Sequence, residues 1–332
     1  HLTHHEIAVF LRNLKELARR DDDFSGVPAR ELDAFLAIVF WTSASTKLAV
    51  KATRVSDVAN CKGALGIQRE SDQLAFWVVK PYVPRLRLVP EKVREKQALP
   101  FAVRFSLPIP CEAMEIIARH LNRMKASYKA IRIFKGKEKE LESAADDFFR
   151  RIRKREGGRQ NLQRISGCLY YQLLSMQGSD VTAAMSICGK NDPLGIVPLH
   201  YTANGINWLI GIYSLASQAL VGRSVPASLS SKREGEKDSS GKYNYFVGSR
   251  FVPKDKIVTA MVNDLLERIN TARKVYIEKG DPTQLHNDLT VYTVMMLGFA
   301  TGFRAVRDPL LQEAEIDRTT GFGLISDKDG DD

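Results

Sequence analysis

The chain has 332 residues, of which 44% are hydrophobic and 27% charged, the balance of a soluble globular protein. Lys and Arg outnumber Asp and Glu by 49 to 39, a surplus that favours a polyanionic partner, either nucleic acid or an anionic membrane face. The longest apolar stretch, 206–220, is too short and too polar to span a bilayer, and no lipid-anchor motif favours the membrane. The four cysteines form no CxxC pair, which argues against a zinc site and favours reduced thiols in a cytosolic protein.

Residues 1–222 are predicted to be mainly helical, because apolar residues recur at i, i+3 and i+4. Within this block, Leu74–Val79 and Arg85–Val89 are rich in β-forming residues and flank a proline-containing turn, which predicts a hairpin. Gly157-Gly158 predicts a break between two helices. The predicted helices are His5–Arg19, Pro28–Phe40, Cys111–Lys129, Glu138–Lys154, Arg159–Met176, Val181–Cys188 and Asn204–Val221.

The rest of the chain contains a polar linker and a second block. Residues 223–244 are rich in Ser, Gly, Lys and Glu without periodicity, which is typical of a flexible linker or an exposed loop. Residues 245–332 form the second block. Its predicted elements are the helices Lys254–Lys279 and Leu285–Thr301, a short helix at Arg304–Leu311 and a strand at Gly323–Ile325.

Positive charge is concentrated between Arg123 and Arg159, where thirteen Lys and Arg stand against six Asp and Glu. Such a window is commonly a solvated helix face followed by a loop. Because its densest run abuts the motif at 161–164, we predict that it contacts the phosphates of DNA. The predicted contact residues are Arg150, Arg151, Arg153, Lys154, Arg155 and Arg159.

The sharpest motif of the second block is ATGFRAVRDP, at 300–309. An apolar helix ends at Thr301-Gly302, and Arg304 stands two residues after the glycine. Glycine after a helix end is an ordinary C-cap, so local chemistry alone predicts a surface arginine. The string resembles the first arginine box of the tyrosine recombinases and phage integrases, a-T-G-x-R followed by a short helix, and looks closest to the large integrases of bacterial mobile elements. The resemblance covers roughly residues 285–332 and implies a β-hairpin with a catalytic lysine, which Lys328 matches.

Residues 161–201 resemble the second half of a recombinase site, H-x-x-R, then G-H, then the nucleophilic tyrosine. Arg164 matches the second arginine, with Asn161 where the family has histidine. Lys190 follows Gly189 where the family has the histidine of G-H, and Tyr201 matches the nucleophile. Asn161 cannot act as a general acid or base, whereas Lys190 can still donate to a phosphate oxygen.

The resemblance implies an α+β, mainly α-helical catalytic domain with a small β-hairpin or sheet. It implies a site-specific DNA recombinase or integrase that cuts and rejoins double-stranded DNA through a 3′-phosphotyrosine, without metal or cofactor. Tyr201 is the expected nucleophile, Arg164 and Arg304 the phosphate clamp, Lys328 the proton donor to the leaving oxygen, and Lys190 an assistant. The implied assembly is a homo-tetramer on synapsed DNA, and the implied setting is cytoplasmic, at the bacterial nucleoid, with no membrane contact.

The two motifs stand in the reverse of the family order, because the arginine box of 245–332 follows the tyrosine box of 1–222. Three explanations are open. The catalytic domain is circularly permuted, which close surface termini tolerate; or its segments are out of their biological order; or the first block is a different domain followed by a truncated catalytic front end.

Two other functions fit the same residues. The chain could be a catalytically impaired DNA-binding accessory protein with the recombinase fold, an interpretation that the departures at Asn161 and Lys190 favour. It could also be a helical module that binds RNA or protein. Hydrolase, dinucleotide, kinase and metalloprotease motifs are absent from the sequence.

Overall fold

The computed structural model describes residues 2–20, 23–56, 58, 61–69, 75–81, 96–98, 100–122, 131–176, 181–193, 202–223, 245–248, 253–301, 316–317 and 322–323. The chain divides into two compact units, unit 1 at His1–Val252 and unit 2 at Pro253–Asp332. Residues 246–248 pair with a strand at 203–205, so the boundary lies several residues after the predicted block start at 245.

Unit 1 is mainly helical with a small mixed sheet. Its helices are α1 (His4–Leu17), α2 (Ala29–Thr42), α3 (Thr46–Val50), α4 (Cys111–Leu121), α5 (Glu138–Glu156), α6 (Leu162–Ser175), α7 (Val181–Cys188) and α8 (Ile206–Leu220). Its strands are β1 (Asp23–Phe24), β2 (Val27–Pro28), β3 (Thr53–Val55), β4 (Leu65–Arg69), β5 (Ala75–Val79), β6 (Phe105–Pro108), β7 (Ile131–Arg132), β8 (Ala203–Gly205) and β9 (Phe246–Gly248).

Helix α2 is the centre of unit 1. From Leu32 to Trp41 its sequence is apolar except for Asp33, and each residue of this stretch is buried. A helix that is apolar all round needs neighbours on every side, and α2 packs against α1, α4, α5 and α6. This packing fixes α6, which carries the predicted site residue Arg164 and is capped by another, Asn161.

The five-stranded sheet has the order β6-β5-β4-β3-β7, with β3 and β4 parallel and the other neighbours antiparallel. The strand predicted at Leu74–Val79 is confirmed as β5, but its partners are β4 and β6 rather than 85–89, which lies outside the described residues. Trp77 of β5 donates to the Tyr213 hydroxyl of α8 at 2.9 Å, and that hydroxyl donates to the Trp41 carbonyl at 3.1 Å. The sheet, α8 and α2 are thereby joined by one buried chain of hydrogen bonds.

The predicted helices of unit 1 are confirmed; most ends lie within two residues of the prediction, and two lie further away. Helix α4 ends at Leu121 instead of Lys129, because Asn122 is its C-cap and donates to the Ala118 carbonyl. Helix α6 begins at Leu162 instead of Arg159, because Asn161 is extended, with φ −152° and ψ 169°.

Unit 2 contains two helices that pack against each other, α9 (Asp255–Lys279) and α10 (Thr283–Thr301). Gly280 ends α9 with φ 75°, and Asp281 and Pro282 complete the turn. Arg268 of α9 donates to the buried carboxylate of Asp288 on α10 at 2.5 Å. Both helices were predicted from the sequence.

The end of unit 2 carries an antiparallel strand pair, β10 (Ile316–Asp317) with β11 (Phe322–Gly323). Of the strand predicted at Gly323–Ile325, only its first residue falls within the described part of the chain. The short helix predicted at Arg304–Leu311 lies outside it.

Candidate nucleic-acid interface

Asn161, one of the predicted site residues, is the N-cap of α6. Its side chain accepts a hydrogen bond from the backbone N–H of Arg164 at 2.8 Å. Asparagine is among the best N-cap residues because its carbonyl satisfies a free N–H of the first turn. The predicted catalytic position therefore holds the end of the helix in place.

Arg164 follows on the first turn of α6 with an exposed side chain. Its guanidinium reaches the Arg159 carbonyl at 3.4 Å, a long contact. Beside it lies an open surface cavity of about 690 Å³, also lined by His4, Gln163 and Tyr171. The guanidinium is thus available to an anion arriving from solvent.

Lys190 lies against the same end of α6. Its ammonium donates to the Ser166 carbonyl at 3.1 Å and sits 5.1 Å from the centre of the Tyr170 ring. Burial lowers the pKa of Lys190 below the ordinary lysine value. Asn161 and Arg164 thus lie at the start of α6, and Lys190 contacts the second turn of the same helix.

Ser43, at the end of α2, completes this arrangement. Its buried hydroxyl donates to the Ser166 carbonyl at 2.6 Å and accepts the Tyr170 N–H at 3.1 Å. We call Ser43, Asn161, Arg164, Ser166 and Lys190 the α6 corner. Its core side carries the neutral thiols Cys168 and Cys188, because burial raises the pKa of each to about 12.

Tyr170, behind Lys190, is held by Asp192. Its hydroxyl donates to the Asp192 carboxylate at 2.6 Å. Burial, and secondly this hydrogen bond, raise the pKa of Tyr170 well above the ordinary tyrosine value. Tyr170 is therefore a neutral phenol that supports Lys190 through its ring face.

Only part of the basic run next to the α6 corner faces solvent. Arg150 and Arg151 share the Asp147 carboxylate at 3.4 and 2.6 Å, yet their side chains are 72% and 57% exposed. Arg151 also lies over the Phe24 ring, 4.4 Å from its centre. Lys154 is exposed. These three residues form the solvent-facing part of the run.

The other predicted contact residues are fixed by protein groups. Arg153 donates to the Gln160 carbonyl at 2.5 Å. Arg155 contacts Glu16 at 3.3 Å and Glu156 at 2.9 Å. Arg159 binds both oxygens of Glu6. These arginines hold α1, α5 and the start of α6 together, a role for which the charge count gave no signal.

The remaining predicted site residues lie outside the described part of the chain: Tyr201, Arg304 and Lys328. The resemblance places the first two around the phosphate with Arg164.

The sequence also gave no indication of the structural role of Glu6, Ser43 and Glu156. Glu6 and Glu156 pair with arginines more than 140 positions away in the chain, a separation that no local pattern reveals. Ser43 has a signal of a different kind, because a polar residue after a long apolar helix marks a helix end.

Chemically, the α6 corner offers one exposed guanidinium and one half-buried ammonium around a helix N-terminus. Guanidinium and ammonium are the two groups that proteins use to contact phosphate oxygens, and helix N-termini favour anions. Within the described residues, nowhere do three His, Cys, Asp or Glu side chains come close enough together to hold a metal ion. Over the same part of the chain, none of the helices combines the length and apolar character needed to cross a membrane.

No protein-family model matches the chain, and neither a curated protein nor a solved structure shows significant similarity to it. The recombinase resemblance therefore depends on its motifs and on the geometry of the α6 corner.

Proposed function

We propose that this protein is a site-specific DNA recombinase of the tyrosine class, and that its α6 corner binds the scissile phosphate. One observation carries the proposal: Lys190 reaches the Ser166 carbonyl at 3.1 Å, two residues beyond Arg164. Two cationic residues far apart in the sequence are thus both held at α6. The recombinase motif requires them at one phosphate.

In the proposed reaction, the Tyr201 phenol gives its proton to water as its oxygen attacks the scissile phosphorus. The bond from phosphorus to the 5′-oxygen breaks, and a 3′-phosphotyrosine remains; Lys328 donates the proton that the leaving 5′-oxygen takes up. The 5′-hydroxyl of a partner strand then attacks the phosphotyrosine and releases Tyr201. This is nucleophilic covalent catalysis. The phosphotyrosine bond conserves the energy of the broken phosphodiester, so that the strands can be rejoined without another energy source.

Arg164 and Arg304 are the proposed clamp on the non-bridging oxygens. The pentacoordinate transition state carries more negative charge than the ground state, so fixed cations stabilise it selectively. A guanidinium binds two oxygens in a fixed plane, a geometry that lysine lacks. Lys190 assists from the buried side. The proposed active assembly is a homo-tetramer on two synapsed duplexes.

A second candidate is a protein that binds DNA through the same corner without cutting it. Two observations favour it. Asn161 is engaged as a helix cap, and Lys190 is directed at a backbone carbonyl with a lowered pKa. Both differ from the acid–base residues of the recombinase motif.

Trapping of a covalent adduct distinguishes the two candidates. The full chain is incubated with a pool of nicked suicide duplexes with a randomised centre, and protein–DNA adducts that survive denaturation are recovered and sequenced. The recombinase proposal predicts adducts in the wild type, none in Tyr201→Phe, and none in Arg304→Lys, which still binds DNA.

An absence of adducts, with DNA binding that depends on Arg164, would support the binding protein. Adducts that persist in Tyr201→Phe, or strong cleavage by Arg304→Lys, contradict the assignment of those residues.

A further inference from the structure

The turn after α2 is fastened to the helix that carries Arg164. Thr42 is the last residue of α2, and Ser43 has a left-handed backbone with φ 55°. The Ser43 hydroxyl bonds to the Ser166 carbonyl and the Tyr170 N–H, two groups that an α-helix pairs with each other. A side chain placed at this helical hydrogen bond fixes the turn against α6.

A related succession, with the same phenylalanine and threonine, occurs at the end of α10. That helix ends at Thr301, as α2 ends at Thr42, and each threonine follows a phenylalanine two positions earlier. The next residue is Gly302 in one segment and left-handed Ser43 in the other; a left-handed backbone is what glycine adopts most readily. The segments are FATGFR at 299–304 and FWTSAS at 40–45.

Ser45 therefore stands where Arg304 stands, three positions after the threonine. In unit 1 a short helix, α3, follows immediately, as the arginine box requires.

We propose that Thr42–Ser45 is unit 1's own copy of the arginine box, with Ser45 in place of the arginine, so that its phosphate site lacks one guanidinium. The phosphate site of unit 1 then lacks only the arginine side chain that the motif has at this position. This inference rests on the proposed function, since it concerns the phosphate that the α6 corner binds.

The position can accept an arginine. Ser45 is exposed, its backbone has φ −65° and ψ 156°, and its side chain makes no capping hydrogen bond to α3. Two residues of chain span at most about 7 Å, so the side chain at 45 begins within that distance of Ser43. A long flexible side chain there starts beside the turn that contacts α6, the helix that carries Arg164.

The test introduces the missing guanidinium. Binding of the full chain to a duplex of mixed sequence is measured for the wild type, Ser45→Arg and the matched control Ser143→Arg, which adds the same charge at an exposed serine of α5. Each substitution is repeated in an Arg164→Ala background, and the salt dependence is recorded.

We expect Ser45→Arg to tighten binding by roughly tenfold and to steepen the dependence of log affinity on log salt by about 0.9. Most of this gain should disappear in the Arg164→Ala background, because both guanidinium groups bind one phosphate. If the wild type forms Tyr201-dependent adducts in the suicide-duplex assay, Arg304→Lys should lose them. Adding Ser45→Arg to the Arg304→Lys variant should then restore them.

Equal gains from Ser45→Arg and Ser143→Arg, or a Ser45→Arg gain that is unchanged without Arg164, overturn this inference. The proposed function fails in a different way: Arg164→Ala alone then leaves DNA binding as it is in the wild type.

Discussion

Arg159 grips the carboxylate of Glu6 with two hydrogen bonds, from Nε to Oε1 at 3.1 Å and from a terminal nitrogen to Oε2 at 3.0 Å. The Arg159 backbone N–H adds a third at 2.9 Å. Glu6 also accepts from Thr3 in the capping box of α1. One carboxylate thus joins the start of α1 to the segment that leads into α6.

Glu6→Gln should destabilise unit 1 near neutral pH and reduce the stability that it loses in acid. The Arg159 hydrogen bond, and after it the Thr3 contacts, lower the pKa of Glu6 from its ordinary 4.5 to about 2, although burial acts to raise it. The carboxylate therefore stabilises the fold above about pH 4.5, and this contribution is lost as the pH falls towards about 2. Removing the charge should cost about 1.5–3 kcal/mol near neutral pH.

Urea unfolding of the wild type and Glu6→Gln over this pH range measures the effect, with Glu142→Gln on α5 as the control. The two curves should converge in acid. A constant gap at all pH values would show that the carboxylate is not the stabilising group.

Asp33→Asn should stabilise the protein at alkaline pH. Asp33 is 1% exposed on α2, and its Oδ1 has no hydrogen-bond partner. Burial raises its pKa from 3.8 to about 8. The folded state then holds a proton that the unfolded state has lost, so stability falls as the pH rises from about 4 to about 8.

At about 1.4 kcal/mol for each pH unit between 3.8 and about 8, the full loss in the wild type is roughly 6 kcal/mol. Asparagine keeps the shape without the charge, so the free energy of unfolding of Asp33→Asn should lack this slope. If the free energy of unfolding of Asp33→Asn falls with pH as steeply as that of the wild type, the slope does not come from Asp33.

The sequence predicted the helices well and the sheet poorly. Amphipathic or continuous apolar periodicity is local, so α1, α5 and α9 could be read from their own residues. The sheet depends on distant pairing: β3 lies beside β4 in parallel and beside β7, which follows almost eighty residues later. Its strands of two to five residues carry too little pattern to predict.

The candidate site was predictable only in part, because some of its features depend on contacts between distant residues. The spacing of Arg164 and Lys190 pointed to a shared site, and the fold brings both to the α6 corner. The capping role of Asn161 depends on where α6 begins, and the Glu6–Arg159 pair depends on tertiary contact. Neither can be deduced from residue type alone.

Asn161→Ala should destabilise the fold by about 1 kcal/mol, because α6 loses the acceptor for the Arg164 N–H. Asn161→Asp should keep the cap, since a carboxylate accepts the same hydrogen bond and favours a helix N-terminus. Thermal unfolding of the two variants separates these outcomes. Equal melting temperatures would argue against a capping role.

Arg150→Gln combined with Lys154→Gln should weaken DNA binding without loss of stability. Both side chains are exposed and belong to the solvent-facing part of the basic run. Loss of two phosphate contacts should reduce the slope of log affinity against log salt by about 1.8. Fluorescence anisotropy with a labelled duplex at several salt concentrations measures the slope.

Arg155→Gln is the matched comparison. Its side chain is tied to Glu16 and Glu156, so this change should lower stability more than it lowers the salt slope. The reverse result would assign Arg155 to the DNA surface.

The most direct measurement of the central claim is duplex binding by Arg164→Ala beside Arg132→Ala, an exposed arginine of β7. If the α6 corner binds a DNA phosphate, Arg164→Ala lowers affinity, flattens the salt slope by about 0.9 and is more harmful than Arg132→Ala. Wild-type affinity and an unchanged salt slope in Arg164→Ala would contradict the claim.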